Sequence, residues 1–457
     1  MKKGKGMDPR TSCATYLRIV FLIGFLVASV TSQAATIVVH NLDAGSGTGF
    51  DDPTPVSPVS GNSATTLGGQ RLAAFQAAAD YWAQIINSPV AIEIDIEMSS
   101  LFCTPTYAEL GSAGPNGIIF RDFPNAPAPG TWYGQALANS IRLFDGNPGT
   151  SDIVAEFNQD IGTSGCLEGA SWSYVIDGPP PGGTLPFTET VIHEIAHGLG
   201  FMTYTNLGLG AQYLGYPDGF SRFLFDENVG ARWPDLTNSQ RAASARSGGQ
   251  LTWDGPEVDN AAQILNQGRH PTSGRVRMYA PNPIESGSSV SHFSNTLNPA
   301  DIMMHDFQPG SMRTLTINLM NDLGWNVNSP PPPAAGISVS SISGDTTEAG
   351  GTATFSIVLL SPPSSSVSIG LVSSDLSEGT VAPSNVSFST GNWNNPRLVT
   401  VTGVDDAIFD GDITFSVVTN PASSGDSNYN GLNPNDVNVT NRDDEEDLDM
   451  VFDSNFE

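Results

Sequence analysis

A chain of 457 residues has room for about three domains and at least one large core. Its 18 Lys+Arg stand against 47 Asp+Glu, a formal charge of −29, which argues against a nucleic-acid or anionic-membrane partner. With 14% charged and 39% apolar residues, 48 Gly and 33 Pro, it reads as an acidic, loop-rich, β-rich globular protein, not a coiled coil or a highly charged disordered chain.

The N-terminus sets the compartment. Lys2, Lys3, Lys5, Arg10 and Arg18 precede the apolar run Ile19–Val30, and Ser32-Gln33-Ala34 supplies small residues at −3 and −1 of a cut after Ala34. This is the pattern of a signal peptide over 1–34, so the mature protein is expected to be secreted and extracellular. The apolar run is too short to cross a hydrocarbon core of about 30 Å, and no later stretch is long enough to be a span. Losing 1–34 removes all three Lys, two Arg and Asp8, leaving 13 Arg against 46 acids and a net charge of −33. Cys103 and Cys166 also remain, and two cysteines in an exported chain are expected to form one disulfide.

In chain order, Ala35–Leu42 reads as a first strand. Gln70–Ile86 follows as an amphipathic helix, with Leu72, Phe75, Ala79, Trp82 and Ile85 at three- and four-residue steps. Val90–Met98 alternates Ile92, Ile94 and Ile96 with Glu93, Asp95 and Glu97, a half-buried strand. Ile118–Phe120, Ser140–Phe144 and Ile153–Phe157 are further strand candidates, and together these elements predict an α+β domain over 35–328. The proline-rich segment 329–336 reads as a semi-rigid linker. Beyond it, Ile337–Ile342, Thr352–Leu360, Ser366–Val372, Asn385–Ser389, Arg397–Gly403 and Ile413–Val418 predict an all-β sandwich over 337–443, and 444–457 is an acidic tail.

The sharpest signal is Thr190-Val-Ile-His193-Glu194-Ile-Ala-His197-Gly-Leu-Gly-Phe201. Two His four residues apart stack on one helix face and can share a metal ion. Glu194 projects to a different angle, where it can take a proton from a zinc-bound water, and zinc itself would acidify that water and polarise a carbonyl. A catalytic zinc needs a third protein ligand. Thr203 occupies the position six residues after His197, so the ligand must come from further away: His40, His270, His292, His305 or Glu227. Tyr204 and Tyr279 are both open as transition-state donors.

The segment Gly287-Ser-Ser-Val-Ser-His292-Phe293 with Asp301-Ile302-Met303 resembles the late third-ligand and Met-turn region of leishmanolysin-like metzincins. The domain is similar to secreted proteobacterial metallopeptidases through Phe220–Asp226, Gln240–Arg246 and Leu251–Pro256. That resemblance implies a metzincin-like catalytic domain in which His193, His197 and His292 bind Zn2+, Glu194 is the general base and Met303 forms the floor. It implies a protein or peptide substrate. The chain departs from the pattern twice: 94 residues separate His197 from His292, too few for a full protease-associated insert, and Met304-His305 follow Met303 where the family often has a small residue and Pro.

Residues 337–443 resemble a Calx-β domain, an immunoglobulin-like sandwich that often binds calcium. The matching pieces are Gly344–Gly351, Ser373–Asp375, Val401–Asp412 and Asp443-Asp444. By that resemblance Glu348, Asp375, Asp405, Asp406, Asp410 and Asp443 are candidate Ca2+ ligands, carboxylates of the kind a hard cation takes. The sandwich is expected to provide a cell-surface or matrix contact. The chain therefore reads as a secreted zinc endopeptidase; the alternative is a calcium-dependent, adhesin-like surface-binding protein with an inactive protease-like domain.

Overall fold

The computed structural model describes residues 34–117, 119–306, 310–328, 335–361, 363–393 and 395–445. The expected signal peptide lies outside the described residues, apart from Ala34, as do most of the proline-rich linker and of the acidic tail. Among the described residues no helix is long and apolar enough to cross a membrane.

Strand β1 (Ile37–Asn41) runs parallel to β2 (Ile92–Ser99), pairing Ile37 with Ile92 through Asn41 with Ile96. The crossover between them is helix α1 (Leu67–Ile85), started by Thr66, whose hydroxyl accepts the Gly69 N–H at 3.2 Å. Phe75, Ala78, Ala79, Trp82 and Ile85 form its buried stripe. In β2 the alternation is realised as expected: Ile92, Ile94, Ile96 and Met98 point inward. Strand β4 (Ile153–Asn158) lies parallel on the far side of β2, and β3 (Gly111–Pro115) closes the sheet as an antiparallel edge, giving the order β1-β2-β4-β3. The layer is thus mixed α/β, with three parallel strands and helical crossovers, where the sequence led us to expect an α+β arrangement.

Ser140–Phe144, expected as a strand, is the end of helix α2 (Gln135–Arg142) and its cap. Gln135, Ala136, Leu137 and Ala138 are good helix formers, and one β-branched residue, Ile141, does not outweigh them. Leu143, at φ 65°, ends the helix in the left-handed region. Helix α3 (Phe187–Gly198) packs against α1, β3 and β4. The chain then forms loops with two short helices, α4 (Asn238–Ser244) and α5 (Pro256–Ala261), before α6 (Thr314–Leu323) closes the domain. The Cys103–Cys166 disulfide forms, joining the loop after β2 to the loop after β4.

Both ends of this domain meet at one place. The two-residue strand Ile86–Asn87, directly after α1, pairs with Asn326–Val327 and also bridges to Ala34. The Ala35 N–H reaches the carbonyls of Ala83 (3.1 Å) and Ile86 (2.9 Å), while Asn328 donates its own N–H to Ile85 (2.7 Å) and its side-chain amide to Gln84 (2.9 Å).

Past residue 335 the strands form two sheets. One holds β5 (Ile337–Val339), β7 (Thr352–Leu359), β11 (Arg397–Gly403) and β9 (Gly379–Ala382), in that order. The other runs β6 (Thr346–Thr347), β13 (Val437–Arg442), β12 (Ile413–Thr419), β8 (Val367–Ser373) and β10 (Asn385–Phe388). Their inward residues, among them Phe355, Ile357, Ile369, Val399, Val401 and Val417, make a second hydrophobic core separate from the first. β6, β9 and β13 were not expected from the sequence; they are short or rich in Thr, Asn and Gly.

Candidate metal centre

Helix α3 is held rigidly before it offers any ligand. At its start Phe187 is wrapped by Phe50, Phe157, Trp172 and Tyr174. In its middle the Trp82 indole donates to the Ile192 carbonyl at 2.9 Å. At its end Gly198 lies against β4 so closely that a Cβ there would stand 2.5 Å from Ile153 Cγ2. On that frame His193 and His197 point to the same side, and His292 arrives from a loop 99 residues beyond His193. The Nε2 atoms of His193 and His292 are 3.0 Å apart, and those of His193 and His197 are 3.2 Å apart.

The tautomers follow from the backbone. His193 Nδ1–H donates to the Ile302 carbonyl (2.7 Å), His197 Nδ1–H to Phe201 (2.8 Å) and His292 Nδ1–H to Ser288 (2.8 Å). A carbonyl only accepts, so each Nδ1 carries the proton and each Nε2 presents a lone pair. Burial lowers His193 to about 3 and His197 to about 4, and holds His292 well below its ordinary value, so all three are neutral at pH 7. Three lone pairs pointing at one another repel unless a cation sits among them. Three nitrogens sharing a tetrahedral ion at Zn–N distances of about 2.0–2.1 Å would be about 3.3 Å apart; the two separations from His193 are close to that, and all three ligand atoms lie within 4.8 Å of one another. The donor set therefore fits zinc.

Each carbonyl that orients a ring is placed by a local device. Gly200, at φ 120°, turns the chain so that Phe201 faces back on His197. Ile302 belongs to the turn 301–304, which Asp301 organises. This fully buried carboxylate accepts from the Met303 N–H (3.1 Å), the Leu315 N–H (3.1 Å) and the Thr316 N–H and hydroxyl. Asp301 so ties the turn beneath His193 to the first turn of α6, and burial raises it to about 6 against these donors. Met303 is fully buried and its carbonyl accepts the Phe293 N–H at 2.8 Å; Met304 is in the same turn, also buried. Val290, two residues before His292, is held at φ 72°, a strained conformation for a β-branched residue, by hydrogen bonds exchanged between 279 and 290–292.

Glu194 is buried beside the triad and packs on edge strand β3. Gly111 makes the room: a Cβ there would stand 3.1 Å from Glu194 Cγ. Burial, with repulsion from Glu109, raises the Glu194 carboxyl to about 8, while the Ala113 N–H pulls it down. Further carboxylates are linked to the triad through Tyr279 and His305. Tyr279 donates to Glu285 (2.9 Å) and stacks on His305 at 4.6 Å, and His305 faces His292 edge-on at 5.8 Å. Burial, then Glu285, Glu109 and Asp306, raise the Tyr107 hydroxyl. Of the two open tyrosines, Tyr204 is buried with its hydroxyl against Gly134, whereas Tyr279 lies in this group beside His292.

Of the other third-ligand candidates, Glu227 is occupied by Ser273, Thr252, Arg275 and His270, His40 pairs with Glu93, and His305 contacts Glu285. Asp301, Glu109 and Glu285 had no role in the sequence reading. Asp301 is visible there only as part of the segment around Met303, and the other two carry no motif.

In the sandwich, Glu348 and Asp443 come together with Glu445, and Asp405 with Asp444 and Glu445. Burial, then Glu445 and Asp443, raise Glu348 to about 7. Asp375 instead caps its own turn at Ser377, and Asp406 accepts the Ile408 N–H; these two and Asp410 stay outside both groups. The His triad and these acidic groups are the places among the described residues that could hold metal ions.

No protein-family model and no curated protein matches the chain. Among solved structures it is similar to the apo-form Calx CBD1 domain, at 17% identity over 24% of this chain and 98% of that one, with a TM-score of 0.19. It is similar to WR4, a Caenorhabditis elegans MSP family member (14% identity, 23% and 96% covered, TM-score 0.18). A Clostridium thermocellum cohesin–dockerin complex also matches (11% identity, 25% and 99% covered, TM-score 0.19). At such TM-scores these likenesses bear no weight; the sandwich rests on its own strand pairing.

Proposed function

We propose that this chain is a metal-dependent hydrolase and, more particularly, a secreted zinc endopeptidase of the metzincin type with a calcium-responsive sandwich. One observation carries the reading: three buried imidazoles converge through unprotonated Nε2 atoms, each fixed by a backbone carbonyl, beside a buried glutamate.

His193, His197 and His292 would hold the ion, and the turn at Met303 supports them from below. Zinc supplies Lewis acidity, making water ionise near neutral pH and polarising a carbonyl oxygen. Glu194 takes the proton from the attacking water and returns it to the leaving amine. Strand β3 lies at the sheet edge next to Glu194, so an extended peptide can add alongside it. Glu109 acts on Glu194, and Glu285 and Asp306 pair with His305 beside His292, so these carboxylates favour substrates with Lys or Arg near the scissile bond. The acidic groups of the sandwich support calcium binding and, through it, a surface contact.

The test is zinc content by elemental analysis, with casein cleavage in parallel, for the mature protein and His292→Ala. One zinc per chain and cleavage in the parent, both lost in the variant, is the expected result. Zinc kept in the variant would move the third ligand elsewhere. No zinc and no cleavage in the parent would leave the surface-binding reading.

A further inference from the structure

Helix α1 ends without a cation of its own, the Arg313 guanidinium lying 4.7 Å over the ring of Tyr81, one turn back. Its last turn contains no basic residue, although the final carbonyls of a long helix together carry about half a negative charge. The end of the helix is covered at Ile85 and Ile86, both fully buried, while Ala83 is half-buried and Gln84 exposed. Asn328 satisfies Gln84 and Ile85, and the Ile86 N–H satisfies Trp82. The remaining two, Ala83 and Ile86, share one donor among the described residues, the Ala35 N–H, at 3.1 and 2.9 Å. Ala35 is itself buried, at 7% exposure.

The cut expected from the sequence falls on the peptide bond to this nitrogen. Hydrolysis of Ala34–Ala35 by a processing peptidase and water leaves a carboxylate on the departing Ala34 and an α-ammonium on Ala35. One amide donor becomes three N–H donors and a full positive charge, in the place where, among the described residues, the helix has two carbonyls on one donor and no basic residue in its last turn. Among the described residues, what cleavage removes is Ala34, an exposed residue, from its place opposite Asn87 in an antiparallel bridge.

We infer that processing after Ala34 creates an ammonium that seats on the Ala83 and Ile86 carbonyls and serves as the counter-charge of α1. The inference rests on the export reading and is independent of the metal centre. It bears on that centre through one hydrogen bond: Trp82, in the same last turn, donates to Ile192, the residue before His193. The mature amino terminus therefore braces the turn that supports the metal helix.

The experiment compares three forms of the whole mature chain: one beginning at Ala35 with a free amine, the same form acetylated at Ala35, and one beginning at Gln33. The acetyl carbonyl reproduces that of Ala34, so acetylation removes the charge and little else. Melting is followed in chelator at pH 6, where a free α-amine is charged. The free Ala35 form should melt about 2–4 °C above both others. Equal midpoints, or a higher one for the acetylated form, would overturn the inference. So would amino-terminal sequencing of the exported protein that finds a first residue other than Ala35. Because melting in chelator needs neither zinc nor turnover, failure of the hydrolase reading leaves this result intact.

Discussion

Glu194 shows how one buried side chain couples protonation, metal and stability. In the metal-free protein its carboxyl keeps the proton to about pH 8, whereas in the unfolded chain it ionises near 4.5. The native state therefore binds more protons through this interval, and the stability of the metal-free protein should fall as pH rises from about 4.5 to 8. Glu194→Gln should flatten that slope in urea titrations at stepped pH. The same variant should keep zinc and lose hydrolysis by at least 100-fold. A zinc-loaded variant with full casein cleavage would remove Glu194 from the mechanism. Gly200 makes a second residue-scale prediction. At φ 120°, with Leu323 Cδ1 3.4 Å from where a Cβ would stand, Gly200→Ala should cost about 1–3 kcal/mol in denaturant unfolding and weaken zinc by loosening the Phe201 carbonyl from His197.

At the scale of elements, α6 and the turn 301–304 are joined by one carboxylate. Asp301→Ala leaves the amides of Met303, Leu315 and Thr316 without their acceptor, and should destabilise the domain by about 2–3 kcal/mol. Zinc affinity should drop with it, since Ile302 orients His193; calorimetric titration of zinc would show stability lost without affinity if the coupling were absent. Elements with strong periodicity were legible in the sequence. The stripe of α1 and the alternation of β2 each repeat over enough residues to dominate, and the His-Glu-x-x-His spacing only makes sense on a helix. Ser140–Phe144 misled because five residues of mixed pattern carry no period, and the helix formers that decide it lie upstream. His292 was reachable only through resemblance, since nothing local distinguishes it from His270 or His305; its partner carbonyl and its distance to His193 exist only in the fold. Asp301 was hidden for the same reason, because three of the four groups that donate to it, on Leu315 and Thr316, lie 14 and 15 residues away.

For the whole molecule, net charge and the carboxylates near the triad point the same way. Peptides with Lys or Arg beside the scissile bond should be cleaved faster than isosteric peptides with Glu there. The preference should shrink between 0.1 and 1 M salt as the screening length falls from about 10 to 3 Å; a salt-independent preference would place specificity in shape instead. The sandwich should respond to calcium separately. Adding it should raise the melting midpoint of the second core, and Glu348→Gln should reduce that rise.

The pairing of Ile86–Asn87 with Ala34 on one side and Asn326 on the other puts the first and last residues of the α/β domain on either side of one short strand. Two strand spacings separate them, about 10 Å. A linker of three or four residues would then close residues 35–328 into a ring, and new ends could be opened at the exposed loop around Leu209 and Leu214. The domain's order along the chain is in this sense a matter of where the loop was cut, and a circular permutant should fold around the same three histidines.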